Sequence, residues 1–137
     1  MTGPFFDTNV LVYFVDEDEP DKNVIARELV EEHLIRGAGM LSVQVLREFY
    51  SATRRLRRPL SEERAREMVG YFAAFVPMPE DKRLVLDAIR RGQEASLSFW
   101  DALIVEAALS AGADRLLTED LQHGQVIGGM SVENPFL

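Results

Sequence analysis

The chain has 137 residues, a net charge of −8 and no cysteine, with 47% of its residues hydrophobic and 28% charged. This is the size and balance of one globular domain spanning 1–137, able to bury a core of its own. Without thiols there are no disulfides and no thiolate metal sites, and no apolar run approaches the ~20 residues of a membrane span. The N-terminus lacks a basic region followed by an apolar one, so no secretory leader is predicted and a cytoplasmic location is expected.

In chain order, Pro4-Phe5-Phe6 reads as a short buried strand that stops on Asp7-Thr8-Asn9, three residues suited to a turn or a helix start. Thr8 to Val15 reads as a short helix, and an acidic loop from Asp16 to Pro20 follows. Val24, Ile25, Leu29, Val30, His33 and Leu34 recur at helical spacing until Gly37 and Gly39. Met40-Leu41-Ser42 is a predicted second strand. Val43, Val45, Leu46, Phe49, Tyr50 and Leu56 predict a third helix, stopped by Pro59. Ser61 caps a fourth, with Glu62 and Glu63 in its first turn, where the helix dipole favours them. Phe75 to Met78 is a predicted third strand, Asp81 to Gln93 a fifth helix and Ser98 to Ala111 a sixth. Arg115-Leu116-Leu117 and Gly128 to Val132 supply the last two strands. Strands separated by helices predict a three-layer α/β/α sandwich around a central parallel sheet.

That layout gives four carboxylates a common destination. Asp7 ends the first strand, and ligands of open α/β sheets bind outside the carboxyl ends of the strands. Glu48 sits among apolar residues on the third helix. Asp101 lies in the first turn of the strongly apolar sixth helix. Asp120 follows Leu116-Leu117-Thr118-Glu119, a strand that breaks into polar residues as the first one does. Each has a purely structural account. Asp7 or Thr8 caps a helix, Glu48 pairs with a nearby arginine, Ser98-x-x-Asp101 forms a capping box, and Thr118 to Asp120 make a turn. Taken together, an all-oxygen set without cysteine suits Mg²⁺ or Mn²⁺, ions that handle phosphate oxygens. Thr8, Asn9 and Thr118 would support the cluster by hydrogen bonds.

The net negative charge opposes binding to nucleic acid. Basic residues are concentrated, however, with Arg54, Arg55, Arg57 and Arg58 close together at the end of the predicted third helix. They are candidates for holding a phosphate backbone, or equally a solvated helix end or a protein-binding patch. His123 reads as a loop residue.

The series Phe6-Asp7-Thr8-Asn9-Val10-Leu11, Glu48 on a helix, Trp100-Asp101-Ala102-Leu103-Ile104 and Leu117-Thr118-Glu119-Asp120 resembles a PIN domain. It is most similar to the VapC-type toxins of toxin–antitoxin pairs, over essentially the whole chain. The resemblance implies a Mg²⁺- or Mn²⁺-dependent endoribonuclease. Asp7 and Asp101 would then be the principal metal ligands, Asp120 would complete the site directly or through water, and Glu48 would ligate or orient water. Glu119 ranks below Asp120. RNA as substrate, a homodimer and a cognate antitoxin covering the site are further implications. Three other readings weigh against this. A phosphoacceptor receiver would need a late lysine, and Lys22 and Lys82 are the only lysines. A dehalogenase-type phosphatase would want an Asp where Asn9 stands. A PIN-fold protein that binds RNA or a partner without cutting is separable only by assay.

Overall fold

β1 (Pro4–Phe6) is three residues long and wholly buried in the computed structural model, which describes residues 2–137. It pairs in parallel with β2 (Arg115–Leu117), with Phe5 opposite Leu116. β2 pairs in parallel with β4 (Met130–Glu133), and β3 (Val126–Ile127) closes the edge antiparallel to β4. The sheet order is therefore β1-β2-β4-β3. Both β1 and β2 run out at the same edge. There Asp7 N–H donates to the Leu117 carbonyl, and Thr118 N–H to the Glu133 carbonyl, each at 3.0 Å.

The helices begin where a side chain can accept the orphan N–H groups of a first turn. Asp7 opens α1 (Thr8–Val15), accepting Thr8 N–H at 2.7 Å. α2 (Pro20–Leu29) starts on a proline and runs on into a π-helical turn, Val30–Ile35. Ser42, Ser61, Asp81 and Ser98 cap α3 (Val43–Thr53), α4 (Glu62–Phe72), α5 (Lys82–Ala95) and α6 (Phe99–Ser110). α6 is buried from Ala102 to Val105 and again at Ala107 and Ala108, the pattern of a central helix. Phe5, Phe6, Leu11, Phe49, Phe72, Leu116 and Leu117 form the middle of the core. Each side chain of this size contributes about 1.5–3 kcal/mol by leaving water. Among the described residues no helix is long and apolar enough to cross a membrane.

The α/β/α architecture is the expected one, but the sheet is smaller and mixed. Met40 makes only a single parallel bridge to Phe5, because Ser42 turns the chain into α3 at once. Phe75 ends a 3₁₀ turn (Ala73–Phe75), and its carbonyl accepts only Leu41 N–H. The next residues, Val76-Pro77-Met78-Pro79, include two prolines that lack the donor a strand requires. The expected strand from Gly128 to Val132 is in fact a hairpin. Gly128 and Gly129, at φ +58° and +83°, form the tight turn between β3 and β4. α3 stops at Thr53, before Leu56.

Candidate active site

Asp7 is fixed from both sides of its carboxylate. Oδ1 accepts Thr8 N–H, and Oδ2 accepts the Thr118 hydroxyl at 2.8 Å. The residue is 6% exposed, and Thr118 is fully buried. Burial pushes the Asp7 carboxyl up to about 7. The Thr118 and Thr8 hydrogen bonds oppose that rise, while the charges of Asp120 and Glu48 add to it. Among the described residues no cation stands among its perturbing neighbours.

The other carboxylates reach the same edge from three elements. Glu48, on α3, accepts the Thr8 hydroxyl at 2.6 Å with one oxygen and Gln44 Nε2 at 3.3 Å with the other. Gln44 lies one turn earlier on the same helix and also donates to the Trp100 carbonyl at 3.4 Å, tying α3 to the start of α6. Asp120, at the mouth of the site, accepts Asn9 Nδ2 at 3.0 Å, and its N–H donates to the Thr118 hydroxyl oxygen at 3.0 Å. Partial burial raises the Asp120 carboxyl, and Asp101, Glu119 and Glu48 raise it further by like charge. Asp101, at the start of α6, is thus near enough to act on Asp120. Its capping is done by others: Ser98 Oγ accepts the Asp101 N–H at 3.1 Å, and among the described residues nothing donates to the Asp101 carboxylate. The helix start therefore uses the backbone of Asp101 and leaves its charge free.

At the end of the sheet Glu48 and Asp120 thus act on Asp7, and Asp101 on Asp120, with Thr8, Asn9, Thr118 and Gln44 as donors to all but Asp101. Glu119 is turned away, onto Tyr13 and Lys22. Partial burial raises the Glu119 carboxyl, and these two partners more than reverse it, leaving it below its ordinary range. A cleft of about 570 Å³ opens beside the group, lined by Thr8, Asn9, Glu48 and Asp120, with Val12, Tyr13 and Ala52 as apolar wall. Of the four arginines, Arg55 lines this cleft. Arg54 instead donates to the Leu60 carbonyl at 2.6 Å, and Arg58 pairs with Asp18 at 2.7 Å. Arg57 is exposed.

A model of the PIN domain matches residues 5–127. This chain belongs to the PIN domain family. No curated protein matches it. Among solved structures, a toxin–antitoxin complex from Klebsiella pneumoniae is similar at 20% identity. The match covers 97% of this chain and 98% of the other, with a TM-score of 0.70. VapBC2 from Rickettsia felis, bound to a DNA fragment from its promoter, is similar at 18% identity. That match covers 96% and 97%, with a TM-score of 0.61. At these identities the likeness is one of fold.

The donor set of this PIN domain fits a hard divalent cation. Four carboxylates contribute only oxygen, one of them is buried with no positive partner, and like charge accumulates between them. Among the described residues no three His, Asp or Glu side chains stand together so as to hold an ion as they are placed. Asp7, Glu48 and Asp120 are instead oriented by neutral donors, while Asp101 has none among the described residues. A carboxylate oxygen has two lone pairs, so such a bond leaves one available to a cation. Gln44, Tyr13 and Lys22 were not foreseen as parts of the site. Gln44 had a signal, standing four residues before Glu48 and so on the same helical face.

Proposed function

We propose that this PIN domain is a Mg²⁺- or Mn²⁺-dependent endoribonuclease and the toxin of a toxin–antitoxin pair. The observation that carries the reading is the buried Asp7 carboxylate, held by Thr8 and Thr118, with Glu48 and Asp120 acting on it by like charge and Asp101 acting on Asp120. The likeness in fold to two toxin–antitoxin assemblies supports an antitoxin as partner. Asp7, Asp101 and Asp120 would hold the ion, with Glu48 as the remaining member. When bound, such an ion supplies positive charge against the phosphoryl oxygens and makes a neighbouring water acidic enough to attack.

The chain's own residues set the geometry. Thr118 and the start of α1 keep Asp7 from rotating, and Asn9 keeps Asp120 at the cleft mouth. Thr8 and Gln44 each hold one oxygen of Glu48 and leave it a lone pair on both with which to accept a proton from, or orient, an incoming water. Arg55, lining the same cleft, can meet a phosphate of the bound strand. The RNA target, a homodimer and a cytoplasmic setting belong to the same reading.

The test is cleavage of total RNA with Mn²⁺ or Mg²⁺ by the purified protein and by its Asp101→Asn variant. Since Ser98 caps α6 through the backbone of residue 101, the variant should melt within about 0.5 kcal/mol of wild type. Metal-dependent cutting that the folded variant loses is the expected result. Equal cutting by both would place the activity elsewhere, and inert proteins that still bind RNA or a small partner would make this a binding module.

A further inference from the structure

Two carboxylates follow one another after β2, and the fold sends them in different directions. Asp120 is held by Asn9, whereas Glu119 accepts the Tyr13 hydroxyl at 2.6 Å with one oxygen and Lys22 Nζ at 2.8 Å with the other. Asn9 and Tyr13 lie one turn apart on α1, ~6 Å along its axis, so one face of that helix grips both side chains. Asn9 Oδ1 also accepts the Glu119 N–H at 3.4 Å. Lys22 is itself caged. Its ammonium lies 4.7 Å from the Tyr13 ring centroid and 5.7 Å from that of Phe136, and it donates to the Tyr13 hydroxyl at 3.2 Å. The two rings meet edge to face at 5.1 Å.

The geometry points to Lys22 as a positioning residue for the metal site: with Tyr13 and Phe136 it pins Glu119 and so fixes the segment from Thr118 to Asp120. The inference rests on the metal-binding reading proposed above. Lys22 acts through Glu119 and the intervening backbone, not by touching ion or RNA. Asp120 needs such help. It is exposed, it sits on a loop and not within a strand or helix, and Asn9 is its one side-chain donor. A ligand on a loose loop gives up conformational freedom when it binds, and a loop already anchored at the preceding side chain has less to give up. The anchor also neutralises Glu119, because the Lys22 ammonium is already paired with its carboxylate.

Mn²⁺ binding to the metal-free protein, followed by calorimetry at a temperature where every variant is folded by circular dichroism, tests this. Lys22→Met and Glu119→Ala should each weaken Mn²⁺ binding by about ten-fold. The double variant should bind no more weakly than either single one, because both changes cut the same link. Lys22→Arg, which keeps the charge and the donors, should recover most of the affinity, and Phe136→Ala should show a smaller loss in the same direction. Wild-type affinity in Lys22→Met would overturn the role, even if that variant melts earlier. So would losses that add in the double variant, or tighter binding as a released Glu119 joins the ligands. Asp101→Asn separates the two levels. If wild type binds no Mn²⁺, the metal-binding reading fails and this inference with it. If Asp101→Asn abolishes binding that Lys22→Met retains in full, only the part given to Lys22 fails.

Discussion

Asp7 stands where a carboxylate is least comfortable: buried at the end of a strand, with two further carboxylates acting on it and, among the described residues, no ammonium or guanidinium. Its pKa lies at about 7 in the folded chain against 3.8 for the ordinary group. The folded state therefore binds this proton more tightly than the unfolded one does. Stability from this residue is unaffected below pH 3.8, falls as the pH rises from there to about 7, and stays low above it. Across pH 5 to 8 the metal-free protein should lose about 2–3 kcal/mol to this one group, by the free-energy equivalent of a pKa unit. Urea unfolding of wild type and Asp7→Asn at both pH values checks this. The gap between them should widen toward pH 8, and a constant gap would show that Asp7 ionises without penalty. The positions of the four carboxylates were legible because each follows a strand end or interrupts an apolar helix. Tyr13, Gln44 and Lys22 were not, since their importance comes from partners brought near only by folding. Lys22 meets Glu119 from a separation of 97 residues.

Among the elements, α6 was legible at both ends. Ser98 announces its start, and an almost unbroken apolar run announces its burial. The helix caps at Ser42, Ser61 and Asp81 carry similar local signals. The short strands fared worse, for a physical reason. An apolar triplet such as Met40-Leu41-Ser42 or Phe75-Val76-Pro77 can fill the core beside a sheet without joining its ladder, and periodicity does not tell the two apart. The β3–β4 hairpin was hidden because its first strand has only two residues. Its turn makes a clear demand, though. Gly128 sits at φ +58°, and a Cβ there would meet a Leu109 methyl carbon at 3.1 Å. Gly128→Ala should cost about 1–2 kcal/mol in thermal or urea unfolding, the penalty of a left-handed backbone with a side chain. The candidate site lies at the other end of the strands, so the variant's Mn²⁺ affinity should match wild type once folded. A variant as stable as wild type would mean that the hairpin turn relaxes freely.

At the scale of the molecule, a chain of net charge −8 gathers several of its negative charges at one sheet edge. A divalent cation that binds only the folded protein should raise its stability by about 2.7 kcal/mol at a hundred-fold excess over Kd. Melting curves with Mn²⁺ should shift upward for wild type and stay in place for Asp101→Asn. Equal shifts in both would mean that the ion binds elsewhere. The same edge depends on the longest-range pairing in the sheet, β1 against β2, which brings Asp7 to Thr118 across 111 residues. During synthesis at ~5–20 residues per second, β1 therefore waits roughly 5–20 s for its neighbour to be made. Until then Asp7 has no Thr118 to hold it and no Asp120 beside it. The candidate site is thus assembled only once β2 has been made and has joined β1.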